Sequence, residues 1–121
     1  MDHDFGTAVI EGTEVSRIAV EGELDLTTVE LLEPSADAAI AAARPVLVDL
    51  SKCPFLDSTG LRLILIIHEG LADATELGTP MAIVARSPGV RRLFSVTSID
   101  RRIPVVATEE EAATALGEAG R

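Results

Sequence analysis

Two short runs of apolar residues, VLVDL at 46–50 and MAIVA at 81–85, constrain the fold of this chain most strongly. Each run is almost uninterrupted, whereas a strand with one face in water alternates apolar and polar residues. Near-continuous runs of this kind are typical of strands buried on both faces of a parallel or mixed sheet. The two runs therefore predict a central sheet with helices packed against it.

The segments around these runs alternate between strand and helix patterns. Additional strands are predicted at 8–10, 17–24 and 103–108. Helices are predicted at 29–43, 58–77, 88–96 and 109–120. Pro34 leaves the start of the first helix open, because a proline is tolerated near a helix start or at a kink. Strands that alternate with helices predict an α/β layer fold.

Composition excludes several classes of protein. A chain of 121 residues with 47% hydrophobic content fits one domain, and its net charge of −10 opposes binding to nucleic-acid backbones or anionic membranes. The single Cys53 excludes an internal disulfide and a cysteine-based zinc site, and it indicates a reducing compartment. The longest apolar run, 63–67, is too short to span a membrane, and the N-terminus lacks the pattern of a signal peptide. We therefore expect a cytoplasmic protein without a metal.

The segment DSTG at 57–60 lies between the buried strand and the second long helix. Residues at this edge of an α/β sheet are held by a rigid scaffold and often form ligand or partner sites. Either Asp57 or Ser58 can cap the helix, and Gly60 allows a close approach of backbone. A phosphoryl group on Ser58 would add about −1.5 to −2 charge near N–H groups that could stabilise it. The segment is thus either a helix cap alone or a hydroxyl presented to a partner.

The helix that follows carries two apolar stripes. We expect both to be buried, and the alternative is that the second includes an exposed contact patch. His68 is expected to be packed or solvated, not a ligand, because no second His or Cys is spaced to join it. The first stripe is Leu61, Ile64, Leu65, His68, Leu71 and Ala72, and the second is Leu63, Ile66 and Ile67.

Three segments, VEGELDL at 20–26, PVLVDLS at 45–51 and FLDSTGLRLIL at 55–65, resemble the STAS domain of anti-sigma factor antagonists. The similarity covers residues 5–117, which leaves 1–4 and 118–121 as short flexible termini. The resemblance implies a single STAS domain: an α/β fold with a central mixed sheet of four to five strands and about four helices.

The resemblance also implies a function. In this family a partner protein, an anti-sigma factor that is also an ATP-dependent serine kinase, phosphorylates the serine that aligns with Ser58. The unphosphorylated antagonist binds this kinase and frees the sigma factor, phosphorylation releases the antagonist, and a PP2C-type phosphatase resets it. ATP and Mg²⁺ belong to the kinase, so we expect no cofactor in this chain.

The match implies a partner-binding surface made of Asp25, Asp57, Ser58, Thr59, Gly60 and Arg62. Asp25 either shapes this surface or serves as a turn residue before a helix. Asp57 either orients the serine hydroxyl, contacts the partner or caps the helix, and Thr59 is a second candidate acceptor or a first-turn packing residue. Arg62 replaces a small residue that is frequent in the family, and it could pair with a phosphate or alter the choice of partner.

Two other functions compete with this interpretation. One is a STAS module that is not phosphorylated and serves as a structural subunit or as a small-ligand or lipid-system component. The other is a serine hydrolase, which is disfavoured because Ser58 does not lie in a G-x-S-x-G elbow. His3 and His68 are the histidines available, and His68 lies roughly 15 Å along the helix from Ser58. No nucleotide-binding motif is present either, so we expect Ser58 to be a substrate and the chain not to be an enzyme.

Overall fold

The computed structural model describes residues 1–10, 12–75 and 78–119. Five strands form one mixed sheet in the order of the chain, in which β1 is antiparallel to β2 and the other neighbours are parallel. The strands are β1 (Asp2–Ile10), β2 (Thr13–Glu21), β3 (Val46–Lys52), β4 (Met81–Ala85) and β5 (Val105–Val106). The predicted mixed sheet is confirmed.

Four helices cover the two faces of the sheet. They are α1 (Val29–Ala42), α2 (Ser58–Ala74), α3 (Pro88–Val96) and α4 (Glu109–Ala119), and a short 3₁₀ turn (Ile99–Arg101) follows α3. Buried side chains of α1, α2 and α3 share one core with one face of the sheet, and α4 packs on the other face. The predicted α/β fold with about four helices is confirmed.

The apolar runs are buried on both faces because their alternate residues face different helices. In β3, Val48 and Leu50 belong to the core under α1–α3, whereas Leu47 belongs to the core under α4. Asp49 interrupts the run, and its carboxylate lies 2.7 Å from Nη2 of Arg17. Arg17 also donates from Nε to Glu109 of α4 at 2.8 Å. Since a buried carboxylate needs partners, this pairing explains how a charged residue is tolerated in the run.

Several element boundaries differ from the predictions. The strand β1 starts at Asp2, so residues 2–4 pair with β2, and β5 is much shorter than the predicted 103–108. Pro34 lies inside α1, which starts at Val29. The helix α2 ends at Ala74, and the predicted end at Leu77 lies outside the described residues, as does the predicted end of the last helix at 120.

The buried face of α2 corrects the two predicted stripes. Burial is confirmed for Leu63, Ile64, Ile67 and Leu71 but is wrong for Ile66, which is 45% exposed, and for Ala72. The buried side chains of α2 lie on one face of the helix, and Ile66 lies outside that face. Leu61, Leu65 and His68 are half-buried, and Ala72 is exposed.

The core can be tested at Phe94 of α3, because its phenyl ring is 0% exposed. We expect Phe94→Ala to lower the free energy of unfolding by about 3–5 kcal/mol, since it removes buried apolar surface and leaves a cavity. Urea denaturation measures the loss. The control is Phe55→Ala, which removes a half-exposed ring and should cost less than about 1 kcal/mol. Equal losses in the two variants would contradict the described core.

Candidate functional site

The loops that follow the parallel strands β2, β3 and β4 meet at one edge of the sheet, because parallel strands share the position of their carboxyl ends. Residues 22–28 follow β2, and residues 53–57 follow β3. The N–H of Leu24 donates to the carbonyl of Phe55 at 3.0 Å, and the N–H of Asp57 donates to the carbonyl of Leu24 at 3.2 Å. These two hydrogen bonds hold the loops together directly beside Ser58.

Asp57 is the residue that caps α2. Its Oδ1 accepts hydrogen bonds from the backbone N–H of Thr59 at 2.9 Å and of Gly60 at 3.1 Å. Its Oδ2 accepts the N–H of Leu26 at 3.2 Å, so the same carboxylate also fastens the loop after β2. The side-chain hydrogen bond from Thr59, followed by the backbone bonds, lowers the pKa of Asp57 below its ordinary value. Asp57, and not Ser58, is therefore the N-cap of α2.

Ser58 is the first residue of α2 and is exposed. Its hydroxyl makes no hydrogen bond to any residue that the structure describes, so Asp57 does not orient it. Two of the N–H groups expected to stabilise a phosphoryl group, those of Thr59 and Gly60, are already bound to Asp57. The hydroxyl is therefore presented to solvent, and the helix cap that supports it is complete without it.

Gly60 lies where the first turn of α2 touches the loop after β2. A Cβ atom built on Gly60 would lie 2.8 Å from the carbonyl oxygen of Leu24 and 2.5 Å from Cδ1 of Leu56. A real Cβ atom needs more room than this, and the carbonyl of Leu24 is already held by Asp57. The expected close approach of backbone at Gly60 is confirmed.

Asp25 organises the turn that precedes α1. Its Oδ1 accepts hydrogen bonds from the N–H of Thr27 at 2.9 Å, from the hydroxyl of Thr27 at 2.7 Å and from the N–H of Thr28 at 3.2 Å. The side-chain hydrogen bond from Thr27 is the largest cause of a lowered pKa at Asp25. The geometry is that of a turn residue, one of the two roles expected, and its role in partner binding stays a prediction.

The surface around Ser58 also carries apolar side chains that the sequence reading missed. Leu26 is 70% exposed and Phe55 is 50% exposed, and they lie in the two loops that meet beside Ser58. Arg62 lies one helical turn after Ser58 and is exposed, without an ion pair in the described part of the chain. Large apolar residues in loops that flank a polar motif were the signal that could have identified Leu26 and Phe55.

Within the described ranges, neither histidine hydrogen-bonds the Ser58 hydroxyl. His3 lies in β1 opposite Val20, and His68 is half-buried on α2. Burial of the His68 ring, and then the charge of Arg102, lower its pKa. Cys53 is buried, and burial raises the pKa of its thiol, which disfavours the reactive thiolate.

Residues 1–10, 12–75 and 78–119 contain no group of His, Cys, Asp and Glu side chains placed to hold a metal ion. None of their helices is long and apolar enough to cross a membrane.

Comparisons with known proteins show which family and which solved structures this chain is similar to. The family model for the STAS domain matches residues 8–112. The anti-sigma-F factor antagonist RsfB of Mycobacterium tuberculosis is 29% identical over 107 residues, which cover 88% of this chain and 84% of RsfB. A crystal structure of an anti-sigma factor antagonist from Mycobacterium paratuberculosis is 31% identical with a TM-score of 0.80, covering 95% of this chain and 94% of that one. The phosphorylated form of Bacillus SpoIIAA is 26% identical with a TM-score of 0.64, covering 90% and 96%.

We expect Gly60→Ala to lower the free energy of unfolding by about 1–3 kcal/mol, because the new methyl group must push the Leu24 carbonyl aside. The control is Gly89→Ala, in the first turn of α3, where a Cβ atom meets nothing closer than 3.8 Å. That change should be neutral or stabilising, since alanine favours helix more than glycine does. Urea denaturation of both variants is the measurement, and a Gly60→Ala variant as stable as the control would contradict the close approach.

The cap makes stability depend on pH. Because folding lowers the pKa of Asp57, the ionised cap stabilises the fold fully above the ordinary carboxyl pKa of about 4. This stabilisation is lost as the pH falls through the lowered pKa. We therefore expect Asp57→Asn to lower Tm at neutral pH and to differ less from the unmodified protein in acid.

Thermal denaturation from about pH 7 to about pH 2 checks this expectation. The control is Asp37→Asn, which alters an exposed carboxylate on α1 that makes no side-chain hydrogen bond to a described residue. A difference in Tm between Asp57→Asn and the unmodified protein that stays constant over the whole range would show that the ionised cap is not the cause.

Proposed function

Because this chain belongs to the STAS domain family, we propose that it is an anti-sigma factor antagonist controlled by phosphorylation of Ser58. The unphosphorylated form binds a serine-kinase anti-sigma factor and so frees the sigma factor. Phosphorylation of Ser58 by that kinase releases the antagonist, and a PP2C-type phosphatase restores the binding form. The kinase binds the ATP and Mg²⁺, and these encounters take place in the cytoplasm.

The observation that carries this proposal is the state of the Ser58 hydroxyl. It is exposed at the first position of a helix whose cap is already supplied by Asp57, so it has no structural task among the described residues. A kinase can therefore reach the hydroxyl without unfolding the turn. The relatives named as anti-sigma factor antagonists, and the phosphorylated form of SpoIIAA, support the same reading.

The docking surface that we propose consists of the loop around Asp25, residues 55–60 and the exposed start of α2 with Arg62. The same loops carry two exposed apolar side chains, Leu26 and Phe55. Apolar side chains that become buried supply much of the binding energy at protein interfaces, and surrounding polar residues exclude water from them. Since Asp57 ties the two loops together, both apolar side chains are presented on a fixed backbone.

Phosphorylation acts on this surface through charge. The phosphoryl group adds about −1.5 to −2 charge beside the carboxylate of Asp57, and the N–H groups of Thr59 and Gly60 are already occupied. Arg62, one turn further along α2, is the cation placed to pair with the phosphate. The main effect is that a dianion lies beside Leu26 and Phe55. A partner would have to remove water from this dianion in order to dock. Docking is weakened while the fold is retained.

Ser58 is a substrate in this proposal because, in the part of the chain that the structure describes, no group is bonded to its hydroxyl to activate it. A nucleophilic serine needs a base within hydrogen-bond reach, and none of the described residues bonds to the Ser58 hydroxyl. The phosphoryl donor and its metal are accordingly assigned to the kinase.

Intact-mass measurement after incubation with ATP, Mg²⁺ and each kinase-type anti-sigma factor of the source organism tests the proposal. We expect one phosphate on the unmodified protein and none on Ser58→Ala, because the acceptor hydroxyl is then missing. The matched control is Thr59→Val, which removes the neighbouring hydroxyl and should still be phosphorylated. Phosphate on Ser58→Ala would show that another hydroxyl is the acceptor, with Thr59 the first candidate, and no phosphate from any kinase would favour the structural or ligand-binding module.

A further inference from the structure

Basic residues are concentrated in one part of this acidic chain. Residues 86–102 contain five of the ten basic residues, Arg86, Arg91, Arg92, Arg101 and Arg102, and a single acidic residue, Asp100. The segment therefore has a local net charge of +4 in a chain whose net charge is −10. Such a separation of charge creates a local positive potential that the overall composition hides.

Three of these arginines line one open groove. Arg86, Arg91 and Arg92 surround it together with Pro88, Ser95 and Asp100, and its volume is about 650 Å³. Residues 88, 91, 92 and 95 recur at helical spacing and so form one face of α3. We call this feature the arginine groove.

The arginine groove is held in place by backbone contacts but is not neutralised. Nε of Arg86 donates to the carbonyl of Ala107 at 3.3 Å, and Nη1 of Arg91 donates to the carbonyl of Ala85 at 3.2 Å. No ion pair within the described ranges involves Arg86, Arg91 or Arg92. Because a guanidinium has five N–H donors, most donors in the groove are available to an anionic ligand. Among the described residues that line the groove, Asp100 is the one acidic group.

The arginine groove begins at the edge of the sheet that carries Ser58. Arg86 and Ser87 directly follow β4, which is parallel to β3. The hydroxyl of Ser87 donates to the carbonyl of Pro54 at 3.3 Å, which ties the start of α3 to the loop that leads to Ser58. The start of α3, which carries the groove, is therefore in direct contact with the loop that precedes Ser58.

We propose that the arginine groove binds an acidic segment of the protein that docks at Ser58. Its assignment to the kinase-type anti-sigma factor rests on the proposed function. Carboxylates fit because they pair with arginine through two parallel hydrogen bonds. A long nucleic acid fits less well, because its charge would extend over the acidic remainder of the surface. The described residues of the groove also include no aromatic ring on which a base could stack.

The first experiment uses this protein alone with hexaglutamate as the probe. Titration is followed through the arginine Nε–H signals in NMR spectra, and we expect Arg86, Arg91 and Arg92 to shift. The double variant Arg91→Glu/Arg92→Glu should bind about tenfold more weakly, because both variant side chains repel carboxylates. The control is Arg101→Glu/Arg102→Glu, which changes the net charge equally outside the groove. Thermal denaturation checks that both variants remain folded.

Three outcomes of this titration would overturn the proposal. Absence of shifts at the groove arginines would show that the groove does not take carboxylates. Equally weakened binding of hexaglutamate in both double variants would show that the effect comes from the net charge and not from the groove. Tighter binding of inorganic phosphate or of a single-stranded DNA oligonucleotide than of hexaglutamate would assign the groove to another ligand.

The second experiment measures kcat/KM for phosphorylation of Ser58 by the cognate kinase. We expect about a tenfold decrease for Arg91→Glu/Arg92→Glu and less than about a twofold change for the control. Unchanged kcat/KM in the groove variant, with normal phosphorylation of Ser58, would overturn the inference and leave the proposed function intact. If no kinase phosphorylates Ser58 but hexaglutamate binds in the groove, the proposed function and the assignment to the kinase fail, while the acidic-segment site stands.

Discussion

The carboxylate of Asp57 is the contact on which the site depends. It binds two N–H groups at the start of α2 and one N–H group of the loop after β2, so it joins two loops from neighbouring strands. Gly60 lets these parts approach closely, since any side chain there would collide with Leu24. The position of Ser58 therefore follows from hydrogen bonds to the backbone and from packing. Its own side chain has no structural role among the described residues.

Asp57 caps the helix, whereas its neighbour Ser58 would carry the phosphate. This separation of roles suits a switch at the protein surface. If Ser58 were the cap, its modification would remove a hydrogen bond that the helix needs, and phosphorylation would cost folding stability. With Asp57 as the cap, a phosphate on Ser58 would change the charge at the proposed docking surface while the turn beneath it keeps its bonds. In the proposed docking, water must be removed from the exposed side chains of Leu26 and Phe55, so an added dianion beside them would weaken binding.

Much of this could be predicted because the signals are local. The buried runs of β3 and β4 identified the sheet, and the polar segment after β3 placed the site at its carboxyl edge. The identity of the cap could not be predicted, because Asp57 and Ser58 are both good caps and the contact with Leu26 decides between them. The exposure of Ile66 depends on which face of α2 meets the sheet. The arginine groove depends on how α3 packs beside the 3₁₀ turn and β5.

The most direct test of the account compares the affinity of the kinase-type anti-sigma factor for two forms of this protein, unphosphorylated and phosphorylated at Ser58. Isothermal titration calorimetry gives both Kd values, and thermal denaturation gives the stability of each form. We expect the anti-sigma factor to bind at least about tenfold more weakly after phosphorylation, with a nearly unchanged Tm. Equal affinities would contradict the switch. Weaker binding accompanied by a large loss of Tm would show instead that phosphorylation acts by disrupting the start of α2.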